Sequence, residues 1–431
     1  MKVIVLGAGI IGVTTAYYLA KSGHEVEVIE ASDAAGSGCS FANGGQLSYS
    51  HIEPWSKKSS IFSLIKSSFN PYSHTKINDF NNKEFYSWFY NFFKNSSNEN
   101  LLKISKNIFK ICNNSKQLMQ ELLNDESDFD NGNKFDLKNT GILHFYRTQK
   151  LFDEDHNRLE KFHNSSLKYK IFNPEESIKF EPNLEKLQNN KKLFGSIFFP
   201  SDKSGDCHKF ISILESICKR KYGVKFHFNH QIKNIFTNYE KITGINTTHK
   251  VFYADRYVYC LGAESLHLLN GIKIDHGIYP IKGYSLSIYC DDQDFLAPNT
   301  SLTDNQNKIV YSRIGNVFRV AGTVEIGKFN SNISKKNLNY LYKNIKETFT
   351  SFGDISKVKE WSSFRPYRYN STPLIGKIES LPNFYLNVGH GSLGWTNSLA
   401  SGKIVADEIS ENHHKDFKFL SDDLKNIFTN Q

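Results

Sequence analysis

Lys2-Val3-Ile4-Val5-Leu6-Gly7-Ala8-Gly9-Ile10-Ile11-Gly12 is the stretch whose reading decides the fold. The β-branched run from Lys2 to Leu6 has the length and flanks of a buried parallel strand, and it runs straight into glycines spaced as G-x-G-x-x-G. Ile11, Thr15, Tyr18 and Leu19 then recur at helical spacing as far as Lys21-Ser22-Gly23, where Gly23 is a natural stop. Glu25 to Ile29 reads as a second strand, tipped by Glu30. Gly7 permits the tight turn, Gly9 lets backbone approach a pyrophosphate, and Gly12 lets helix and strand pack closely. The helix N-terminus supplies free N–H groups and a positive dipole end, so the phosphates need no Lys or Arg. Glu30 lies 30 − 12 = 18 positions after Gly12, where a carboxylate can accept hydrogen bonds from a ribose diol. Val3, Leu6, Ala8, Ile10 and Ile11 complete the set expected along a dinucleotide. The fingerprint by itself does not separate NAD from FAD.

The chain has 431 residues, enough for a large core and more than one domain. Its apolar stretch from Val3 to Ala20 is broken by periodic glycines and followed by an acid-tipped strand, which fits a nucleotide site better than a signal peptide. No other run approaches the ~18 to 20 apolar residues of a membrane span. Cys39, Cys112, Cys207, Cys218, Cys260 and Cys290 form no C-x-x-C pair and have no His at zinc-ligand spacing, so they read as reduced thiols in a cytosolic protein without a metal. The formal net charge of +9 comes from lysines scattered among asparagines rather than from basic runs, which argues against a nucleic-acid partner.

After Glu30, Gly36-Ser37-Gly38-Cys39-Ser40 and Ala42-Asn43-Gly44-Gly45-Gln46 form a loop whose amides and hydroxyls can serve a cofactor longer than one mononucleotide. Phe85, Trp88, Phe89, Phe92 and Phe93 make a helical aromatic stripe ending at Lys94, readable as core packing or as a helix lying on a membrane surface. Leu101 to Leu123 repeats the helical pattern, and both helices are expected in an insertion over the cofactor. Asp206 caps a helix with Phe210, Ile213, Leu214 and Ile217 on one face, closing at Gly223. Short strands are expected at Val224 to Phe228, Ile242 to Ile245 and Val251 to Ala254. A buried strand, Tyr257 to Leu261, ends in a turn at Gly262 and completes the nucleotide domain. From Tyr279 onward the pattern is β-rich, with strands at Tyr284 to Tyr289, Ile309 to Ser312 and Val317 to Ala321 and a helix capped by Ser334.

Near the C-terminus, Phe384 to Val388 reads as a strand, Gly389-His390-Gly391-Ser392-Leu393-Gly394-Trp395-Thr396 as a Gly-rich loop, and Thr396 to Ile409 as a helix. A second helix N-terminus at a second Gly-rich turn suits the negative charge that develops at the N1/O2 end of a reduced flavin, which favours FAD over a nicotinamide. Arg365, fixed before Pro366 in an apolar context supplied by Trp361 and Phe364, is the cation placed to recognise a carboxylate. His390, inside a tight Gly turn, is expected to fix backbone or core.

These motifs resemble, in order and spacing, the D-amino-acid oxidase-like flavoproteins, and within them the bacterial D-amino-acid dehydrogenase branch. The resemblance rests on the N-terminal fingerprint with Glu30, Ala42 to Gln46, Pro280-Ile281-Lys282-Gly283-Tyr284-Ser285-Leu286, Phe364-Arg365-Pro366, Gly389 to Thr396 and Ser204-Gly205-Asp206-Cys207. It implies that Arg365 pairs bidentately with a substrate carboxylate, that the Ser392 carbonyl lies near the substrate amine, and that Gly391, Gly394, Trp395 and Thr396 line the flavin's pyrimidine edge. Two stretches depart from the family pattern. Arg368-Tyr369-Asn370 stands where Thr-Pro-Asp is usual, and Ser363 replaces a Gly.

The expected architecture is therefore α/β, a Rossmann-type FAD-binding domain (1–50, 200–275 and 355–420) interleaved with a β-rich α+β substrate domain (51–199 and 276–354). The expected activity is FAD-dependent oxidative deamination of a D-amino acid to a 2-oxo acid and ammonia, with electrons passed to a quinone or other acceptor. The location would be cytoplasmic or peripheral at the inner membrane. The alternatives are a flavoenzyme for a secondary or N-substituted amino acid such as a hydroxyproline isomer, and an RNA-binding flavoprotein with structural FAD.

Overall fold

A computed structural model describes residues 1–51, 53–56, 75–77, 82–162, 166–238, 240–290, 297–327, 329–330, 332–352, 355–412, 417–424 and 427. Its centre is the strand Lys2–Leu6 (β1), flanked in parallel by Glu25–Ile29 (β2) and by Arg256–Tyr259. Lys225–His227 extends the sheet beyond β2, and Leu381–Val388 extends it in parallel on the other side to an antiparallel edge, Leu374–Ile378. Strands buried on both faces need no alternation, and Val3, Ile4, Val5 and Leu6 are fully buried.

The helix Ile10–Lys21 (α1) is buried almost all round because it is sandwiched between this sheet and the helix Gly394–Ile409. That crossing is close. A Cβ on Gly402 would lie 2.9 Å from the backbone of Thr14 and Thr15, and Thr14 Oγ1 donates to the Ser398 carbonyl at 3.0 Å. The long helix Asn98–Asp125, expected as part of a cap, sends Ile111, Leu118, Met119 and Leu122 into the same core. Tyr17 donates to Glu126, just past its end, at 3.0 Å.

The second body is a mixed sheet of nine strands among the described residues. Its outer strand Val358–Arg368 pairs antiparallel with Ile278–Tyr289, followed by Val317–Ile326, Ile309–Ile314, Ser301–Asp304, Ile142–Tyr146, Gly195–Phe199 and Lys170–Phe172. The short strand Thr75–Ile77 also pairs with Val317–Ile326. Residues 358–368 therefore belong to this sheet and not to the nucleotide-binding sheet, since 11 successive residues find ladder partners on Ile278–Tyr289. The helix Lys335–Thr348 covers one face with Leu338, Leu341 and Ile345.

On the other side, the helix Lys83–Lys94 buries Phe85, Trp88 and Phe92 against Tyr279, Ile281 and Ile326. Core packing thus accounts for those three rings of the aromatic stripe. Phe93 is exposed instead, together with Tyr86 and Tyr90.

Candidate functional site

The first cradle lies at the N-terminus of α1. Gly7 has φ +99, and a Cβ on Gly12 would lie 1.8 Å from the Gly7 carbonyl oxygen, so both glycines are demanded by the protein itself. Gly9 is different. Its Cβ would meet nothing nearer than Ser40 Oγ at 3.6 Å, and as N-cap it offers α1 no side-chain hydrogen bond. The space above it and the helix's open N–H groups are what a pyrophosphate requires. Ser40 Oγ accepts from the Ile10 N–H at 3.1 Å, a supporting residue that the fingerprint alone does not disclose.

Glu30 is held rigidly, accepting from the Ala8 N–H at 2.7 Å and the Ser32 N–H at 2.9 Å. Burial, and then the Glu30 carboxylate, raises the pKa of Glu264. Gly262 faces open space, with nothing among the described residues within 4 Å of the point where a Cβ would stand.

The loop after β2 joins the two bodies. Ser285 Oγ donates to the Ala42 carbonyl at 2.7 Å, Ser312 Oγ to that of Gly44 at 2.8 Å, and Arg319 Nη1 to that of Asn43 at 2.8 Å. Gln46 Nε2 donates to Ser301 Oγ at 2.9 Å and to Thr303 Oγ1 at 3.1 Å. A Cβ on Gly45 would sit 2.4 Å from Ile314 Cδ1, and one on Gly44 would sit 3.2 Å from Val310 Cγ1. These side chains and glycines are explained by docking on the second sheet. Arg319 had no signal in the sequence, being one basic residue in an ordinary strand; its buried Nε has no hydrogen-bond partner among the described residues.

The second cradle is the turn Gly391–Leu393 leading into Gly394–Ile409, again without a side-chain cap. Gly389 and Gly391 have φ of +88 and +55, and a Cβ on Gly391 would lie 2.7 Å from the ring of Tyr367. Trp395 is buried near Phe210, and its indole N–H has no partner among the described residues. Thr396 Oγ1 accepts from the Ser48 N–H at 3.0 Å. Ser392 is exposed. His390 is buried with Nε2 unpartnered among the described residues, and burial holds its imidazole down to about 3, so it is neutral at physiological pH. Two helix N-termini whose own N-cap residues make no side-chain bond, the open space at Gly9 and Gly262, and a buried indole N–H without a partner among the described residues together fit a dinucleotide with a charged ring system at its far end.

Arg365 lies on the strand Val358–Arg368, opposite Ile281. A Cβ on Gly283 would fall 2.4 Å from the Arg365 Cζ and Nη2, so that glycine exists to let the guanidinium lie flat over the neighbouring strand. Among the described residues Arg365 has no carboxylate partner. Its one hydrogen bond there is a long one, Nη1 to the Thr323 carbonyl at 3.4 Å. Phe364 does not shelter it: alternation puts that ring on the opposite face, stacked on Phe329 with centroids 4.2 Å apart. The flat bed of Gly283 replaces the apolar context expected from Phe364.

Arg368, three residues on, is buried and paired with Asp423 at 2.6 Å. Asn370 Oδ1 accepts from the Thr372 N–H at 3.1 Å, and the Tyr369 ring packs over Gly277. The three residues that stand in place of Thr-Pro-Asp are thereby each engaged in the protein's own structure. Tyr367 bridges to His390, which brings the strand of Arg365 to the loop of Gly391 and Ser392.

Asp202, 1% exposed, accepts from the Ser50 N–H at 2.8 Å, and burial pushes its carboxyl up to about 7. A raised carboxyl pKa means the fold binds a proton that the unfolded chain has released. Stability is therefore lost as pH rises from the unfolded value near 4 through 7, by up to ~1.4 kcal/mol per pH unit. Asp202→Asn keeps the acceptor for Ser50 and removes the titration. The melting advantage of the variant over wild type is expected to be larger at pH 8 than at pH 5; equal melting differences at both pH values would exclude the effect.

A family model described as FAD dependent oxidoreductase matches residues 2–408. The chain is 33% identical to a D-amino acid dehydrogenase of Neisseria meningitidis, covering 98% of each. It is 34% identical to one of Paramagnetospirillum magneticum, covering 95% of each. In structure it is similar to glycine oxidase from Geobacillus kaustophilus, with a TM-score of 0.73 at 18% identity over 96% of this chain and 95% of that one.

Proposed function

The chain belongs to the FAD dependent oxidoreductase family, and from that premise we propose that it oxidises D-amino acids to imino acids, which water hydrolyses to 2-oxo acids and ammonia. The observation that carries the substrate class is Arg365, an arginine without a carboxylate partner among the described residues, laid over Gly283 one bridge away from the Gly391 loop. An α-carboxylate would supply the missing partner, with two parallel charge-assisted hydrogen bonds fixing its plane. The preference for the D series is supported by the nearly full-length likeness to proteins named D-amino acid dehydrogenase.

FAD, when bound, accepts the α-hydrogen with its electron pair. This chain's part is to bind and orient. Gly7 to Gly12 and Glu30 would hold the nucleotide half, the backbone of Asn43 to Gln46 the middle, and the Gly391 to Thr396 turn the ring. Arg365 would clamp the carboxylate while the Ser392 carbonyl accepts from the amine, fixing two points of the substrate so that its α-hydrogen has one direction. Orientation of that kind is worth up to ~7 to 11 kcal/mol of barrier, so no acid or base side chain is required once the amine binds neutral. His390, neutral and buried, is not needed as one.

Anaerobic mixing of the holoprotein with paired D- and L-amino acids tests the reading. Bleaching of the flavin by D enantiomers is expected; bleaching only by glycine, proline or L-amino acids would overturn it.

The electron acceptor we propose is a quinone, reached at a membrane surface. No helix among the described residues is long and apolar enough to cross a membrane. Tyr86, Tyr90 and Phe93 nevertheless form an exposed aromatic stripe on Lys83–Lys94, and Lys103, Lys106 and Lys110 are exposed along the next helix. Flotation with anionic vesicles is expected to capture wild type at low salt and to capture Tyr90→Glu/Phe93→Glu several-fold less, with amino-acid bleaching unchanged. Equal flotation of the two would remove the stripe from this role.

A further inference from the structure

Thr323 is the β-branched residue among the described positive-φ residues, with φ +61. A side chain branched at Cβ resists that conformation more than any other, so such an outlier persists only where its surroundings impose it. It stands at a break in the sheet register: Gly322 pairs with Tyr284 and Glu325 with Lys282, leaving Thr323 and Val324 together opposite Gly283. Two residues against one, with the first in the left-handed region, is a β-bulge of the kind that ordinarily takes glycine there. Thr323 is 2% exposed, and among the described residues its Oγ1 has no hydrogen-bond partner. The hydroxyl therefore does not explain the choice of residue. What the bulge does achieve is to turn the Thr323 carbonyl out of the ladder and onto Arg365 Nη1 at 3.4 Å, on the side of the strand where Gly283 makes room for the guanidinium.

We propose that Thr323 is a positioning residue for the carboxylate clamp: its strained bulge aims a carbonyl at Arg365 and keeps the guanidinium laid over Gly283 with its outer edge free for a substrate carboxylate. The inference rests on the reading of Arg365 given above. Threonine serves better than glycine because its buried, branched side chain removes the alternative peptide orientations that would return the carbonyl to the ladder. Glycine would lower the strain and loosen the aim.

Three variants of the FAD-loaded protein decide it. Thr323→Gly is expected to keep its flavin and to melt at or above the wild-type temperature. Its KM for a D-amino acid should rise about tenfold while kcat changes less than about twofold, the pattern of lost binding that is common to ground and transition states. Acetate or propionate, carboxylates that cannot be oxidised, should perturb the flavin spectrum at correspondingly higher concentration. Thr323→Val keeps the branched side chain without the hydroxyl and should match wild type in KM. Wild-type KM and carboxylate binding in Thr323→Gly would overturn the proposal, as would a loss in Thr323→Val as large as that in Thr323→Gly, which would assign the effect to the hydroxyl. If Thr323→Gly does not fold, Thr323→Ala is measured in its place against the same expectations. Arg365→Leu separates the two layers: if it leaves KM unchanged the clamp itself fails, whereas a large effect there beside a silent Thr323→Gly removes only the role of Thr323.

Discussion

Replacing Gly9 by valine is expected to give a folded, colourless protein. At this position fold and cofactor can be separated. Gly9 has φ −71 and ψ −179, an extended conformation open to any residue, and the nearest atom to its absent Cβ is Ser40 Oγ at 3.6 Å. Protein packing thus leaves room for a side chain, and what the side chain fills is the space into which a pyrophosphate must come to reach the open N–H groups of α1. Losing even two of those contacts weakens binding on the order of 100-fold at ~1.4 kcal/mol per tenfold. The flavin-to-protein ratio after purification, a titration with added FAD and a circular-dichroism melt check the expectation together. A valine variant that retains stoichiometric FAD would show that the pyrophosphate lies elsewhere. Gly12→Ala is the control with the opposite logic: its Cβ would land 1.8 Å from the Gly7 carbonyl, so it should fail in folding.

The contrast between Gly9 and Gly12 also marks how far the sequence could be read. The first thirty residues were legible because every determinant there is local: a buried strand, a turn with three glycines, a helix with its stop, and an acid at the next strand end, all found in place. The caps were legible for the same reason, as with Asp206 accepting from the Lys209 N–H at 3.0 Å and Gly223 closing that helix at φ +68. Illegible elements were those whose partners are distant. Ile142–Tyr146 is a continuous run without alternation, and it is a strand because Gly195–Phe199 and Ser301–Asp304, both distant in sequence, pair with it on either side.

Within the site, the loop Ala42 to Gln46 was legible, but the reason for Gly44, Gly45 and Gln46 was not. Their neighbours are Val310, Ile314, Ser301 and Thr303 on the other sheet, and no local pattern announces them. The same holds for Arg365 and Arg368, two arginines three residues apart on one strand. Sequence offers no local sign that one is consumed by Asp423 and the other has no such partner among the described residues; strand alternation and a residue from the far C-terminus make the difference.

That difference underlies the sharpest expected result, which concerns Arg365→Leu. Arg365 holds no structural ion pair among the described residues, and its one hydrogen bond there is to a carbonyl at 3.4 Å, so the fold should survive its removal. FAD should stay bound, because the glycine turns at Gly7 to Gly12 and Gly389 to Gly394 lie on other elements. Substrate interaction should fall by roughly 2 to 5 kcal/mol, the usual penalty when one partner of a desolvated charge pair is truncated. At 1.36 kcal/mol per tenfold that is about 30-fold to several-thousand-fold in kcat/KM. Lysine should restore only part of it, since a point charge lying over Gly283 can neutralise a carboxylate without fixing its plane, and the plane is what directs the α-hydrogen. Single-turnover flavin reduction under anaerobic conditions is the measurement. Arg368→Leu is the companion that gives the result its meaning: it strips the partner from Asp423 and should lower thermal stability without comparable loss of substrate affinity. If Arg365→Leu instead reduces as fast as wild type at equally low D-amino-acid concentration, Arg365 is a structural cation, and the carboxylate must be held by another group.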